Sequence, residues 1–235
     1  MKSKKIRLGV LSTVLLGVSL WALHVSGGGG AVCAGGKCFM QLPPVQHVTR
    51  AGVKWPPRVG EPYPDLELFD QTGQKVRLSS FKGSVLLIEP VGMTCPACQA
   101  FAGAHRHGSF EGVVPQHGLP SIEELFPRYT NGLSLDDDRI VLVQLLLYSM
   151  SMGAPSPDDA RRWAEHFRMD RSKNFVVLAG TEGLLGPASY NMIPGFQLVD
   201  RNFILRADST GHHPRHDLWR YLLPMVPQLL QEGVH

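Results

Sequence analysis

The chain has 235 residues, of which 43% are hydrophobic and 18% are charged, against a charged share of about 25% in an average domain. This composition excludes wholesale disorder, and the length suits one large domain with appendages. The formal net charge is +3, but four basic residues lie within the first seven positions, at Lys2, Lys4, Lys5 and Arg7. Removing those four charges leaves −1 for the rest of the chain, so we expect no nucleic-acid partner.

The N-terminal segment has the pattern of an export signal or a membrane anchor. After the basic start, the 18 residues from Leu8 to Val25 are apolar apart from Ser, Thr, Gly and one His. This run exceeds the roughly 7 to 15 residues of a cleavable signal core and reaches the lower limit for a membrane span. It favours an uncleaved anchor, with cleavage near Val25 to Gly27 and a buried core helix as alternatives. The basic flank predicts a cytoplasmic N-terminus and a domain outside the inner membrane, in the periplasm or at the extracytoplasmic face.

Composition divides the rest of the chain into a tether and a folded domain. Residues 1–30 comprise the anchor or signal and a break of four glycines, and residues 31–58 are rich in Gly and Pro and carry Cys33 and Cys38. Such a segment predicts a flexible tether. We expect the folded domain to occupy residues 59–235, with an irregular insertion at about 103–138. Within the insertion, Ser121 followed by Glu124 predicts one short helix.

Hydrophobic patterns predict an α/β domain. Alternation predicts a first hairpin, continuous apolar runs predict buried strands, and Ser156 followed by Pro157 and two acids predicts a helix start. A strand, helix, strand order implies a parallel crossover. The expected elements are a hairpin of 67–70 and 75–78, strands 85–90, 140–148 and 175–179, a helix from 156 to about 169, a closing hairpin of 196–200 and 203–207, and a last helix of 216–232 shortened or kinked by two prolines.

Two cysteines follow the first buried strand with two residues between them, in the order Cys95, Pro96, Ala97 and Cys98. At a helix N-terminus, the helix dipole and free backbone N–H groups stabilise a thiolate. Cys95 is therefore the expected nucleophile, and Cys98, one turn later, the resolving thiol. Pro96 suits the first helical position, where no N–H is needed.

Metal binding is the alternative explanation for these cysteines. With Cys33 and Cys38 they supply four thiols for a zinc site, whereas Gln99 stands where covalent haem attachment requires His. The histidines near the supposed site lack rigid ligand spacing apart from the weak pair of His212 and His216. We interpret them as surface residues and predict neither metal nor cofactor; they are His105, His107, His117, His212, His213 and His216.

The segment from Val85 to Cys98 resembles the active-site strand and helix start of the thioredoxin superfamily. Glu89 stands six residues before Cys95, where the family has a buried acid, and Pro194 precedes the closing hairpin, where it has a cis-proline. The resemblance implies a central mixed sheet flanked by helices. It also implies that Glu89 relays a proton from Cys98, and that Ile193 offers its backbone to a substrate chain. A solvent-exposed Glu89 and a trans turn proline are the alternatives.

The stretches from Pro64 to Gly73 and from Leu78 to Gly83 are similar to exported proteins of the TlpA and ResA type. This resemblance implies a thiol-disulfide oxidoreductase acting on protein thiols and disulfides, with an upstream membrane electron donor and a role in cytochrome or oxidase maturation. It also suggests that Cys33 and Cys38 form a second disulfide in an oxidising compartment.

Related families fit less well. A peroxiredoxin has Thr or Ser where this chain has Gly92. In Sco-type copper chaperones the cysteines stand three residues apart, and the copper-binding His lies near the position of Ile193. A Sco-like copper metallochaperone is therefore the second choice. A redox-inactive thioredoxin fold is the third.

Overall fold

A computed structural model describes residues 31–34, 37–40, 46–48, 52 and 54–233. It divides the chain into two units, of residues 1–43 and 44–235. In the first unit, β1 (Ala31–Ala34) pairs with β2 (Lys37–Met40) in an antiparallel hairpin in which Cys33 and Cys38 occupy opposite positions. The predicted anchor or signal at residues 1–30 lies outside the described residues. No helix of the described part of the chain is both long and apolar enough to cross a membrane.

The second unit is built on a seven-stranded mixed sheet and a separate two-stranded pair. The pair consists of β3 (His47–Val48) and β4 (Lys54–Trp55). The sheet strands are β5 (Glu67–Asp70), β6 (Lys75–Arg77), β7 (Val85–Gly92), β8 (Ile140–Tyr148), β9 (Phe175–Ala179), β10 (Gly195–Val199) and β11 (Leu205–Thr210). Their order in the sheet is β11, β10, β7, β8, β9, β5, β6.

In the part of the chain that the structure describes, six α-helices accompany the sheet. They are α1 (Pro96–Phe101), α2 (Ala104–His107), α3 (Ile122–Tyr129), α4 (Pro157–Phe167), α5 (Pro187–Tyr190) and α6 (Leu223–Gln231). A π-helical turn at Leu218–Leu222 leads into α6, and short 3-10 turns lie at Leu78–Phe81, Phe110–Gly112, Arg171–Lys173 and Glu182–Leu184. Helix α4 packs on β9 and β5, and α6 packs on β7. The predicted mixed sheet flanked by helices is confirmed.

The continuous apolar runs form the centre of the sheet. Strands β7, β8 and β9 are parallel to one another, and every residue of the three is buried. Strands buried on both faces have no need of polar alternation, which is why the sequence shows none. Trp55, inside the segment predicted as a tether, is also fully buried in this core, and its indole N–H donates to Ser189 Oγ at 2.7 Å.

Two predicted boundaries shift for local reasons. Helix α4 has the expected capping box at Ser156 but ends at Phe167, because Arg168 takes a left-handed conformation with φ of 56°. The second strand of the closing hairpin begins at Leu205 rather than Phe203. There the Asp200 carboxylate accepts from the backbone N–H groups of Asn202 and Ile204, both at 2.9 Å, which lengthens the turn.

The insertion contains more helix than expected. Helix α3 starts where Ser121 predicts it, with Ser121 Oγ accepting from the backbone N–H of Glu124. The short helix α2 comes in addition. The last predicted helix begins as the wider π turn, just before Pro224, a residue that has no N–H to donate.

Candidate active site

The two cysteines lie where β7 ends and α1 begins. Cys95 is the N-cap of α1, and its sulfur accepts a hydrogen bond from the backbone N–H of Cys98 at 3.3 Å. Pro96 occupies the first turn of the helix, as predicted. The backbone N–H of Cys95 donates to Gly92 O at 2.9 Å, which closes the turn. Both cysteines are free thiols, so the structure shows the dithiol form.

The surroundings of the two thiols differ in a way that separates their acidities. The Cys98 thiol and the backbone N–H groups of Cys98 and Ala97 donate toward the Cys95 sulfur and lower its pKa to about 7, against the opposing effect of burial. Cys98 is fully buried. Burial, the hydrogen bond to Cys95 and the charge of Glu89 raise its pKa well above the ordinary value. Cys95 is therefore the thiol that ionises first, and it alone of the two is partly exposed.

Glu89 is fully buried in β7, so it does not end a strand in solvent. Its neighbour across the parallel ladder in β8 is Gln144, and Gln144 Nε2 donates to Glu89 Oε2 at 2.7 Å. Burial is the main cause that raises the pKa of the Glu89 carboxyl well above its ordinary value, the Cys95 charge adds to it, and the hydrogen bond from Gln144 opposes it. A carboxyl of raised pKa beside a buried thiol suits proton transfer.

The segment that contains Ile193 and Pro194 lies against the turn that carries Cys95. The Ile193–Pro194 peptide bond is cis, rather than the trans turn of the alternative. A Cβ added at Gly92 would stand 3.4 Å from Ile193 Cδ1 and 3.8 Å from Cys95 Cβ. The space between the Ile193 and Cys95 side chains beside Gly92 is therefore about the size of one methyl group. The N–H of Ile193 donates to Tyr190 O at 3.2 Å. Among the described residues no group donates to Ile193 O, so this carbonyl is available to accept a hydrogen bond.

The insertion reaches the site through Gln99, a residue to which sequence reasoning gave no role beyond excluding haem. Gln99 is fully buried, and its Nε2 donates to Met93 O at 2.9 Å and to Phe110 O at 3.0 Å. Its Oε1 accepts from the backbone N–H of Phe110 at 2.9 Å. Farther along the insertion, the N–H of Gln116 donates to Pro96 O at 3.0 Å. The insertion is thus bonded to Pro96 and Gln99 of α1, and Gln99 in turn bonds Met93, which precedes Cys95.

The sequence analysis also assigned no functional role to Gln144 or Trp163. Trp163 Nε1 donates to Gln144 Oε1 at 2.5 Å, and both side chains are fully buried. One signal was present in the sequence, because Gln144 is the polar residue in the otherwise apolar run from Ile140 to Leu147. Nothing in the sequence marked Trp163.

In the described part of the chain, no three His, Cys, Asp or Glu side chains are grouped to hold a metal ion. The predicted surface histidines are exposed or half-buried. His105 contacts Gln116 O at 2.9 Å, and His216 Nδ1 accepts from the backbone N–H of Asp208 at 3.0 Å. The side chains of Cys33 and Cys38 lie outside the described ones, so their disulfide stays a prediction.

Comparison with known proteins gives similarities in structure at low sequence identity. No family model matches the sequence, and no curated protein matches it. The Thioredoxin-like superfamily protein SPOA0173 is 20% identical, with a TM-score of 0.47 over 74% of this chain and 99% of that one. The thioredoxin domain of thiol-disulfide oxidoreductase BVU-2223 from Bacteroides vulgatus is 17% identical, with a TM-score of 0.43 over 72% and 98%. BsSco, of the Sco family of cytochrome c oxidase assembly proteins, is 14% identical, with a TM-score of 0.47 over 77% and 99%.

The strand order decides the fold. Strands β8, β7, β10 and β11 are adjacent, with β7 and β8 parallel, β10 and β11 antiparallel, and the Cys95–Cys98 turn directly after β7. The chain has a thioredoxin-like fold. This arrangement brings together all the site residues predicted in the second unit, which are Glu89, Cys95, Pro96, Cys98, Ile193 and Pro194.

Proposed function

We propose that this protein is a thiol-disulfide oxidoreductase that exchanges the Cys95–Cys98 dithiol with disulfides of protein substrates. The observation that carries the proposal is the division of acidity within one helical turn. Cys95 is half-buried with a pKa lowered to about 7, and Cys98 is fully buried with a raised pKa. One thiol is then ready to attack a visiting disulfide at neutral pH, while the other is kept protonated until it is needed.

The proposed reaction balances in three steps. The Cys95 thiolate attacks one sulfur of the substrate disulfide, which forms a mixed disulfide and expels the other substrate sulfur as a thiolate. The Cys98 thiol then gives its proton to the Glu89 carboxylate, and the resulting thiolate attacks Cys95 Sγ. This step forms the Cys95–Cys98 disulfide and releases the second substrate thiolate. Two electrons pass from the protein to the substrate, and the reverse sequence oxidises a substrate dithiol.

The mixed disulfide also changes the charge near Glu89. The negative charge of Cys95 is one of the causes that raise the pKa of Glu89. When Cys95 becomes part of a disulfide that charge disappears, and the carboxyl of Glu89 ionises more readily. The proton that Glu89 releases is taken up by the expelled substrate thiolate through the solvent, so the base is generated at the stage of the reaction where Cys98 has to lose its own proton.

We also propose that the protein acts outside the inner membrane, held there by its N-terminal segment, and receives or passes electrons at that membrane. The support is the basic start followed by 18 apolar residues from Leu8 to Val25. A function in cytochrome or oxidase maturation follows from the sequence resemblance. Labelling of Cys95 in intact cells by a membrane-impermeant thiol reagent tests the location, and protection of the thiol until the membrane is broken would contradict it.

Reduction of insulin by dithiothreitol tests the activity of the full chain. We expect turnover that is abolished in Cys95→Ser, and a trapped mixed disulfide in Cys98→Ser. Stoichiometric copper binding without turnover would instead establish the metallochaperone. Turnover that survives Cys95→Ser would refute the assignment of the nucleophile.

A further inference from the structure

Three buried polar side chains from separate elements form one hydrogen-bonded chain beneath the cysteine turn. Trp163 in α4 donates to Gln144 Oε1, and Gln144 in β8 donates through Nε2 to Glu89 Oε2 in β7. All three side chains are fully buried. The other carboxyl oxygen, Glu89 Oε1, is buried and has no hydrogen-bond partner. The proton relay proposed above makes use of Glu89 but leaves Gln144 and Trp163 without a role.

The chemistry of the donors fixes which atom donates and which accepts in each of these hydrogen bonds. An indole N–H can only donate, so the atom of Gln144 that faces Trp163 must be the amide oxygen. The amide NH₂ group then faces Glu89 and donates to Oε2. Because Oε2 already accepts this hydrogen bond, the carboxyl proton of neutral Glu89 is carried by Oε1, the oxygen that has no partner.

We propose that Trp163 and Gln144 are positioning residues that fix Oε1 of Glu89 as the oxygen that takes the proton of Cys98. The inference rests on the proposed function and deepens it. In the dithiol form the Cys98 thiol donates to Cys95, and Oε1 has no partner. Once Cys95 is in the mixed disulfide, the S–H bond of Cys98 breaks, an O–H bond forms at Oε1, and the electron pair stays on the sulfur. In the part of the chain that the structure describes, the ionisable group whose charge acts on Glu89 is Cys95, and the charge of Glu89 in turn acts on Cys98.

Loss of the indole N–H removes the group that fixes the orientation of the Gln144 amide. In Trp163→Phe the Gln144 amide can rotate and present its oxygen to Oε2, an arrangement that is favourable only when Oε2 carries the proton. Glu89 is then held neutral with its proton on the other oxygen. Gln144→Leu removes the donor outright, and with it the hydrogen bond that stabilises the carboxylate. Both changes make Glu89 a poorer acceptor for the Cys98 proton at neutral pH.

The reaction of the reduced protein with 5,5′-dithiobis(2-nitrobenzoate) separates the two sulfur steps. Cys95 releases the first thionitrobenzoate, and Cys98 releases the second when it resolves the mixed disulfide. We use the full chain with Cys33 and Cys38 replaced by Ser, so that no other thiol reacts. The matched control is Trp55→Phe, which also loses a fully buried indole hydrogen bond, to Ser189.

In Trp163→Phe and Gln144→Leu we expect an unchanged first phase and a second phase slowed about tenfold at neutral pH, a factor typical of one hydrogen bond to a charged group. We expect the pH profile of the second phase to move to higher pH. Trp55→Phe should leave both phases unchanged. Circular dichroism and thermal melting verify that each variant is folded.

The outcomes separate this inference from the function on which it rests. A folded Trp163→Phe whose second phase matches the unsubstituted chain in rate and pH profile overturns the inference, provided that Glu89→Gln slows that phase. Equal slowing of both phases also overturns it, because a loosened core rather than proton positioning then explains the effect. If Glu89→Gln leaves the second phase unchanged, the relay itself fails, and if Cys95→Ser still releases the first thionitrobenzoate, the proposed nucleophile fails.

Discussion

Replacing Cys98 by Ala is the most direct test of how the site activates Cys95. The hydrogen bond from the Cys98 thiol is the largest cause of the lowered pKa of Cys95, while the backbone N–H of residue 98 donates as well and survives the substitution. A hydrogen bond to a charged group contributes about 1.5 to 3 kcal/mol, and a thiol is a weak donor, so we take the low end. At 1.36 kcal/mol per unit, the pKa of Cys95 should rise by about one unit, to about 8.

The consequence for reactivity is measurable but moderate. With a pKa of about 7, half of Cys95 is thiolate at neutral pH, against roughly 3% for an ordinary cysteine. The thiolate fraction is thus about 16-fold larger. The reaction rate gains less than this, because a less basic thiolate is a weaker nucleophile by a factor of about 5. In Cys98→Ala the thiolate fraction at neutral pH should fall to about one tenth.

The assay is a pH titration of the ultraviolet absorbance of the thiolate, with Cys33 and Cys38 replaced by Ser. Cys98→Ser is the matched control, because its hydroxyl retains a donor at the same position and should keep the pKa of Cys95 near 7. A pKa that stays at about 7 in Cys98→Ala would refute the reasoning and assign the activation to the backbone N–H groups and the helix terminus alone.

Three further predictions concern stability. Burial raises the pKa of Glu89 above its unfolded value, so the native state keeps a proton that the unfolded chain releases, and stability falls as pH rises above about 4.3. Glu89→Gln should therefore melt at a higher temperature than the unsubstituted chain at about pH 7.5 and at the same temperature at about pH 4; an equal difference at both would contradict this. Gly195 has φ of 140°, and a Cβ there would overlap the Ser209 carbonyl, whereas Gly73, with φ of 80°, has open space around it. In urea denaturation the free energy of unfolding should fall by at least about 3 kcal/mol in Gly195→Ala and by about 1 kcal/mol in Gly73→Ala. Equal losses would show that the close approach of residue 195 to the Ser209 carbonyl is unimportant. Gln99→Leu leaves two buried backbone groups without a partner, Met93 O and the N–H of Phe110, whereas Phe110 O keeps its bond from the N–H of Val113. We expect a loss of about 2 to 4 kcal/mol in the free energy of unfolding and faster hydrogen exchange in residues 108–118; unchanged exchange would mean that other contacts hold the insertion.

The hydrogen bonds of the insertion affect how a substrate reaches Cys95. Within the insertion, Phe110 is hydrogen-bonded to Gln99 and Gln116 is hydrogen-bonded to Pro96. These bonds hold the insertion against α1, next to Cys95, so it forms a boundary of the site on that side. A substrate must therefore approach Cys95 from a direction that this boundary leaves open, such as that of the Ile193 carbonyl.

Local physics was sufficient for much of the fold. The apolar runs at 85–90, 140–148 and 175–179 became β7, β8 and β9, because strands buried on both faces must be apolar throughout. The capping residues at Ser121 and Ser156 started α3 and α4, because a side-chain oxygen satisfies N–H groups only a few residues away. These signals involve neighbours along the chain, and a sequence displays them directly.

The sequence by itself also determined the cysteine turn, since a nucleophile, a resolving thiol and a proline at a helix start need only four consecutive residues. Only the tertiary structure decided which groups surround it. Gln144 lies 55 residues from Glu89 along the chain, and it meets the carboxylate because the parallel register of β7 and β8 sets these two side by side. Trp163 reaches Gln144 because α4 packs over the sheet. Periodicity reveals which face of a strand is buried, whereas the partner found there depends on register and packing between segments distant in sequence.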